Sequence, residues 1–91
     1  MKLPDVVFFY SDDCPYCGPA LDAVVPLLGP ARLTLLVRKP TPAEAAHPGF
    51  GYPAVLLPAE ICPQRRPMLL VGQHVAEALR QALASFDRTG A

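Results

Sequence analysis

The chain has 91 residues, of which 52% are hydrophobic, and its eight basic residues balance eight acidic ones. This length and composition suit a single domain, 1–91, with one core, and they argue against intrinsic disorder. The zero net charge gives no global attraction to nucleic acid or to an anionic membrane, so we expect neither as a partner.

The first predicted element is a short strand. Residues 6–10, with the sequence VVFFY, form an unbroken run of β-branched and aromatic side chains. Such a run is too short for a buried helix and is typical of a strand covered on both faces, so we expect the central strand of a mostly parallel sheet. It is also too short for a signal peptide or a membrane span, and aspartates follow it, which favours a cytoplasmic protein.

Two cysteines follow this strand. The SDD sequence at 11–13 supplies turn and N-cap residues, and the CPYC tetrapeptide at 14–17 is expected to open a helix, with Pro15 in the first turn. The free N–H groups and the dipole at a helix N-terminus stabilise a thiolate. Cys14 is therefore the predicted nucleophile of thiol–disulfide exchange. Cys17 lies three residues later on nearly the same helix face and is the predicted resolving thiol.

The helix and a second strand complete a βαβ unit. Residues 33–37 are predicted to form the second strand, and a strand, a helix and a strand within about 30 residues make a right-handed crossover. Pro26 is expected to kink or end the helix. The apolar positions at helical spacing are Ala20, Leu21, Val24, Val25, Leu27 and Leu28.

The second half of the chain predicts two further strands and a last helix. Residues 39–52 allow one helical turn at 42–46, with Thr41 as N-cap and Glu44 completing a capping box. Residues 54–57 follow as the third strand, and residues 68–71 as its antiparallel partner, after a proline-rich loop. The last helix has an apolar stripe formed by Val75, Leu79, Ala82, Leu83 and Phe86.

The CPYC tetrapeptide after a central strand resembles the active site of the dithiol glutaredoxins, in the thioredoxin-fold superfamily. Pro53 at the start of a strand and Gly72 before the last helix fit the same family. The resemblance implies an α/β, thioredoxin-like fold with a four-stranded mixed sheet of order 2-1-3-4 and flanking helices. The chain differs from this fold mainly in its middle helix, which is reduced. It also implies a cis Tyr52–Pro53 peptide beside the dithiol.

The resemblance further implies a thiol–disulfide oxidoreductase that reduces protein or small-molecule disulfides and holds no permanent cofactor. Its reductant is either glutathione or a protein dithiol. Cys14 and Cys17 would be catalytic. The residues expected to contact the substrate are Tyr16, Tyr52, Pro53, Gly72 and Gln73.

Two departures from the family concern glutathione. Its glutathione-binding members usually carry a lysine shortly before the first cysteine and a Gly-Gly-x-Asp turn before the last helix. Here these places hold residues 11–13, with two aspartates, and residues 72–74, with the sequence GQH. We therefore expect no cation for the glutathione carboxylate, repulsion by the aspartates and weak affinity. A protein dithiol is the favoured reductant.

Other functions are open to the same sequence. A redox-inactive module could hold an extended peptide in the groove of the predicted substrate residues. A zinc site would need a second ligand pair, and the chain offers only Cys62 and two histidines besides the CPYC cysteines. A glutathione-ligated iron–sulfur carrier is a third alternative. Cys62 follows the third strand and is expected at the far end of the sheet, as a structural cysteine.

Overall fold

The computed structural model describes residues 5–30 and 32–89, with side chains up to residue 85. Four strands and three helices alternate along these residues, with one short 3-10 turn at Ala59–Ile61. In chain order they are β1 Asp5–Phe9, α1 Cys17–Leu28, β2 Thr34–Arg38, α2 Pro42–Ala45, β3 Ala54–Leu57, β4 Met68–Val71 and α3 Val75–Thr89.

The four strands form one mixed sheet in the order β2-β1-β3-β4. β1 is parallel to β2 and antiparallel to β3, and β3 is antiparallel to β4. This is the thioredoxin-like α/β arrangement that the resemblance implied, and the middle helix is reduced to one turn, as predicted. The expectation of a mostly parallel sheet was wrong. Residues 39–53 contain no crossover helix to carry the chain back, so β3 starts at the end of the sheet where β2 stops.

Helices α1 and α3 pack against each other and against one face of the sheet. Side chains that alternate along β1 and β3 point into this core, so the strand pattern and the helix stripes meet there. Val25 is an exception to the predicted stripe, because it is 52% exposed. Fully buried members of the core are Val6, Phe8, Val24, Val55, Leu57 and Leu79.

The two long helices differ slightly from their predicted forms. Pro26 lies inside α1, which continues to Leu28 and does not end at the proline. In α3, Val75 and Leu79 are buried as the predicted stripe requires, whereas the side chain of Phe86 is outside the described part of the chain. Within residues 5–30 and 32–89, no helix combines the length and the apolar character that crossing a lipid bilayer demands.

The one-turn helix α2 is fixed by its N-cap and by β2. Thr41 and Glu44 form the predicted capping box: the Glu44 N–H donates to Thr41 Oγ1, and the Thr41 N–H donates to Glu44 Oε1 at 2.8 Å. Arg38, the last residue of β2, donates to both carboxylate oxygens of Glu44. The loop after α2 brings Phe50 to within 5.6 Å of Phe9, measured between ring centroids. α2 and its loop are thus held against the β1–β2 part of the sheet.

Candidate dithiol site

Cys14 and Cys17 form a disulfide, with their Cα atoms 5.5 Å apart. Cys14 lies in the turn between β1 and α1 and is partly exposed, whereas Cys17 is the first residue of α1 and is only 6% exposed. The two sulfurs therefore differ in their access to solvent. Cys14 is therefore the sulfur that an external disulfide can reach.

The helix begins three residues later than predicted. Its N-cap is Tyr16, which makes no side-chain capping bond, so the assignment of the cap to residues 11–13 was wrong. The later start places Pro19 within the first four helical positions, where no N–H partner is needed. Pro26 lies in the interior of the same helix, so a proline beyond the first turn does not by itself set the start. The dithiol therefore spans the turn and the first helical residue.

Few backbone donors are free near the two sulfurs. The Cys14 N–H donates to the Ser11 carbonyl at 3.2 Å, and the Cys17 N–H donates to the Cys14 carbonyl at 3.5 Å. Pro19 has no N–H. Within the described chain, the Gly18 N–H is thus the only amide among the first three helical residues without an acceptor. The Tyr16 N–H, between the two cysteines, also has no acceptor among the described contacts. The expected stabilisation of a Cys14 thiolate depends on these two amides and on the helix dipole.

Pro53 and Gly72 lie at the same end of the sheet as the dithiol. Phe9 pairs with Ala54, Ala54 pairs with Val71, and the Gly72 N–H donates to the Pro53 carbonyl at 2.9 Å. The Tyr52–Pro53 peptide is cis, which confirms this part of the prediction. β1 also ends here and leads into the turn that contains Cys14. The strand register therefore places Pro53, Gly72 and the dithiol at one end of the sheet.

The other three predicted substrate residues are exposed. Tyr16 is 53% and Tyr52 38% exposed, and Gln73 is also exposed. The Tyr52 ring packs edge-on against Phe50, with centroids 5.3 Å apart. The described contacts place neither Tyr52 nor Gln73 against a cysteine, so their role in substrate binding stays a prediction.

A groove of about 400 Å³ borders the disulfide on the β1–β2 side. Val37 contributes an apolar wall that is 41% exposed, and Asp12 adds a carboxylate. Apart from the cysteines, none of its lining residues was predicted as a substrate contact. The lining consists of Phe8, Tyr10, Ser11, Asp12, Cys14, Cys17, Gly18, Leu21 and Val37.

Lys39 is the residue of this region that sequence reasoning missed. Its Nζ lies 2.6 Å from Asp12 Oδ2 and 5.9 Å from the centre of the Tyr10 ring. The hydrogen bond and the charge of Asp12 raise the pKa of Lys39. The expectation that no cation is present for a glutathione carboxylate did not consider Lys39, which lies beside Asp12.

The predicted βαβ unit contained the information needed to place Lys39 near Asp12. The carboxyl ends of parallel strands meet at one edge of a sheet. Arg38 pairs with Phe9, so Lys39 and Tyr10 each follow directly and come together. Lys39 thus reaches the turn before Cys14 through strand pairing and not through its position in the sequence.

Cys62 lies outside this site. It follows the 3-10 turn after β3, and β3 runs away from Pro53, so the cysteine is at the far end of the sheet. The side chain is buried, its thiol donates to the Pro58 carbonyl at 3.4 Å, and burial raises the pKa of Cys62. Among the described residues, no three His, Cys, Asp or Glu side chains cluster closely enough to hold a metal ion.

No protein-family model, curated protein or solved structure matches this chain. The assignment of a function therefore depends on the geometry of the dithiol and on the resemblance of its tetrapeptide.

Proposed function

We propose that this protein is a thiol–disulfide oxidoreductase of the glutaredoxin and thioredoxin type. One observation carries the proposal: Cys14 and Cys17 share a disulfide at the β1–α1 junction, and only Cys14 is accessible from outside. A nucleophilic thiol must be accessible to the substrate disulfide, whereas a resolving thiol needs to reach only the sulfur of the nucleophilic cysteine. The different burial of the two sulfurs suits these two roles.

The reaction has two exchanges. The Cys14 thiolate attacks one sulfur of the substrate disulfide, forms a mixed disulfide and releases the first substrate thiolate. Cys17, as a thiolate, then attacks Cys14, forms the Cys14–Cys17 bond and releases the second. Each released thiolate takes a proton from solvent. The substrate gains two electrons, and the protein dithiol loses them.

A reductant must restore the dithiol. A protein dithiol or two molecules of glutathione would each supply the two electrons by the reverse exchange. We favour the protein dithiol, because Asp12 already pairs with Lys39 and Asp13 adds a second carboxylate beside the groove. The proposal includes a cytoplasmic location, where such reductants keep thiols reduced, and no resident cofactor.

The test is reduction of bis(2-hydroxyethyl) disulfide, coupled in parallel to glutathione with glutathione reductase and to thioredoxin with thioredoxin reductase. The wild type should turn over with at least one system. Cys14→Ser should abolish turnover, and Cys62→Ser, which changes a cysteine outside the site, should retain it. Absence of turnover with both systems would instead favour the redox-inactive peptide-binding module.

A further inference from the structure

We infer that Asp12 is an internal competitor for Lys39 and thereby sets the charge preference of the dithiol. This inference rests on the proposed thiol–disulfide exchange and concerns the class of disulfide accepted. Lys39 is the cation that the carboxylate of an anionic disulfide would meet beside Cys14. While Asp12 forms an ion pair with Lys39, the groove favours neutral and basic disulfides over anionic ones.

The ion pair lies within electrostatic range of the reacting sulfur. Asp12 and Cys14 belong to one turn, closed by the hydrogen bond from the Cys14 N–H to the Ser11 carbonyl, and both line the groove. Two residues of chain span at most about 7 Å, which limits the separation of the Cα atoms of Asp12 and Cys14. This Cα separation is comparable with the Debye length of about 8 Å at physiological ionic strength. A substrate bonded to Cys14 therefore experiences the charges of this pair.

The pair is weak enough to be exchanged. The side chains of Lys39 and Asp12 are 54% and 73% exposed, and exposed ion pairs contribute little to stability because water and salt screen them. An incoming carboxylate can thus displace Asp12 from Lys39, but it must compete to do so. Asp13 is exposed and has no ion-pair partner among the described side chains, which leaves one excess negative charge.

Alkylation of the reduced protein measures this preference directly. Iodoacetate is anionic and iodoacetamide is neutral, and with both the Cys14 sulfur forms an S–C bond while iodide leaves. The ratio of their rate constants at Cys14, followed by peptide mass spectrometry, cancels the nucleophilicity of the thiolate. At low salt, Lys39→Gln should lower this ratio by up to about threefold, the factor for one charge at roughly 7 Å in water. Asp12→Asn should raise the ratio by more than this factor, because it removes a negative charge and also frees Lys39 to meet the anion. Salt at 1 M should remove both effects.

A double-mutant cycle distinguishes competition from simple summation of charge. Asp12→Asn should raise the ratio much less in the Lys39→Gln background, because no cation is then released. Glu60→Gln makes the same change of net charge in the exposed 3-10 turn and serves as the control. Equal gains from Asp12→Asn with and without Lys39, or an equal gain from Glu60→Gln, would overturn the inference.

Small disulfides then connect the preference to turnover. Cystamine is basic, bis(2-hydroxyethyl) disulfide is neutral and 3,3′-dithiodipropionate is anionic. The wild type should reduce the anionic compound most slowly, and Asp12→Asn should narrow the difference. If no disulfide is reduced, the proposed function is wrong, and the alkylation ratio still decides the role of Asp12. If the neutral disulfide is reduced but the alkylation ratio does not move, only the inference about Asp12 is wrong.

Discussion

Arg38 and Glu44 form a bidentate ion pair, with Nη1–Oε1 at 2.7 Å and Nη2–Oε2 at 2.8 Å. The Arg38 guanidinium also lies over the Phe9 ring, 4.9 Å from its centre. The hydrogen bond from Arg38, supported by the N–H of Thr41, lowers the pKa of Glu44 from 4.5 to about 2. One carboxylate therefore both caps α2 and attaches it to the sheet.

This pair predicts a specific acid sensitivity. A carboxylate whose pKa is lowered by folding stabilises the protein fully above its unfolded pKa, here 4.5, and this contribution is lost as the pH falls toward about 2. Glu44→Gln cannot form the ion pair. The variant should therefore be less stable than the wild type at pH 6, and the difference should shrink between pH 4.5 and pH 2. Urea unfolding at several pH values measures it.

Glu60→Gln is the control for this acid series. Glu60 is exposed and has no ion-pair partner among the described residues. A difference between wild type and Glu44→Gln that stays constant from pH 6 to pH 2 would show that the ion pair contributes nothing to stability.

Gly72 should tolerate substitution poorly for reasons of backbone conformation. Its φ is +114°, and its N–H donates to the Pro53 carbonyl. Gly72→Ala should destabilise the protein by about 1 kcal/mol or more, because side chains other than glycine are strained at this φ. It should also lower turnover, since the turn lies at the dithiol end of the sheet. Chemical denaturation and the coupled assay measure the two effects.

Gly29→Ala is the matched substitution. A Cβ at either glycine would meet no other atom within 4 Å, but Gly29 has a helical φ of −56°. Alanine there should be neutral or stabilise the protein by up to about 1 kcal/mol. If both substitutions destabilise the protein equally, the effect at Gly72 does not come from its backbone conformation.

Cys62 should be structural and not part of the exchange. Cys62→Ala should reduce the free energy of unfolding by about 1 kcal/mol through lost packing and leave turnover unchanged. In the reduced protein, Cys62 should react with iodoacetamide more slowly than Cys14, because it is buried and burial raises its pKa. Loss of turnover in Cys62→Ala, or faster labelling of Cys62, would contradict this role.

Glutathione should bind weakly to the wild type. Although Lys39 is present, Asp12 compensates its charge, and Asp13 remains. The Asp12→Lys/Asp13→Ser variant removes both carboxylates and releases Lys39, so its affinity should rise by about tenfold or more. Calorimetry on both proteins measures this. Tight binding by the wild type, with no gain in the variant, would show that the chain uses glutathione as an ordinary glutaredoxin does.

Much of the fold could be predicted because its signals are local. The runs at 54–57 and 68–71 are bounded by proline and glycine, and both strands form at those positions. The capping box of Thr41 and Glu44 could also be predicted from the sequence, and it forms. The start of α1 could not, because Pro15 and Pro19 each suit a first turn, and the helix that forms has Pro19 in its first turn and Pro15 before its N-cap.

Apart from Pro53 and Gly72, which the family resemblance supplied, the site was predicted only where its residues are close in the sequence. Cys14 and Cys17 are three positions apart, so the turn that leads into α1 explains their proximity. Lys39 and Asp12 are 27 positions apart, and they meet because β1 and β2 pair in one particular register. The spacing of the two cysteines can be recognised from the sequence motif alone. The contact between Lys39 and Asp12 can be predicted only from the register in which β1 and β2 pair, extended past the ends of both strands.

The proposed division of labour between Cys14 and Cys17 can be tested by trapping the mixed disulfide. Reduced Cys17→Ser protein is mixed with bis(2-hydroxyethyl) disulfide, and its mass is measured intact and after digestion. We expect one 2-mercaptoethanol on Cys14, because the resolving thiol is absent, while the wild type ends with no adduct and with the Cys14–Cys17 bond. An adduct that forms as readily on the Cys14→Ser protein, or one that persists on the wild type, would contradict the account.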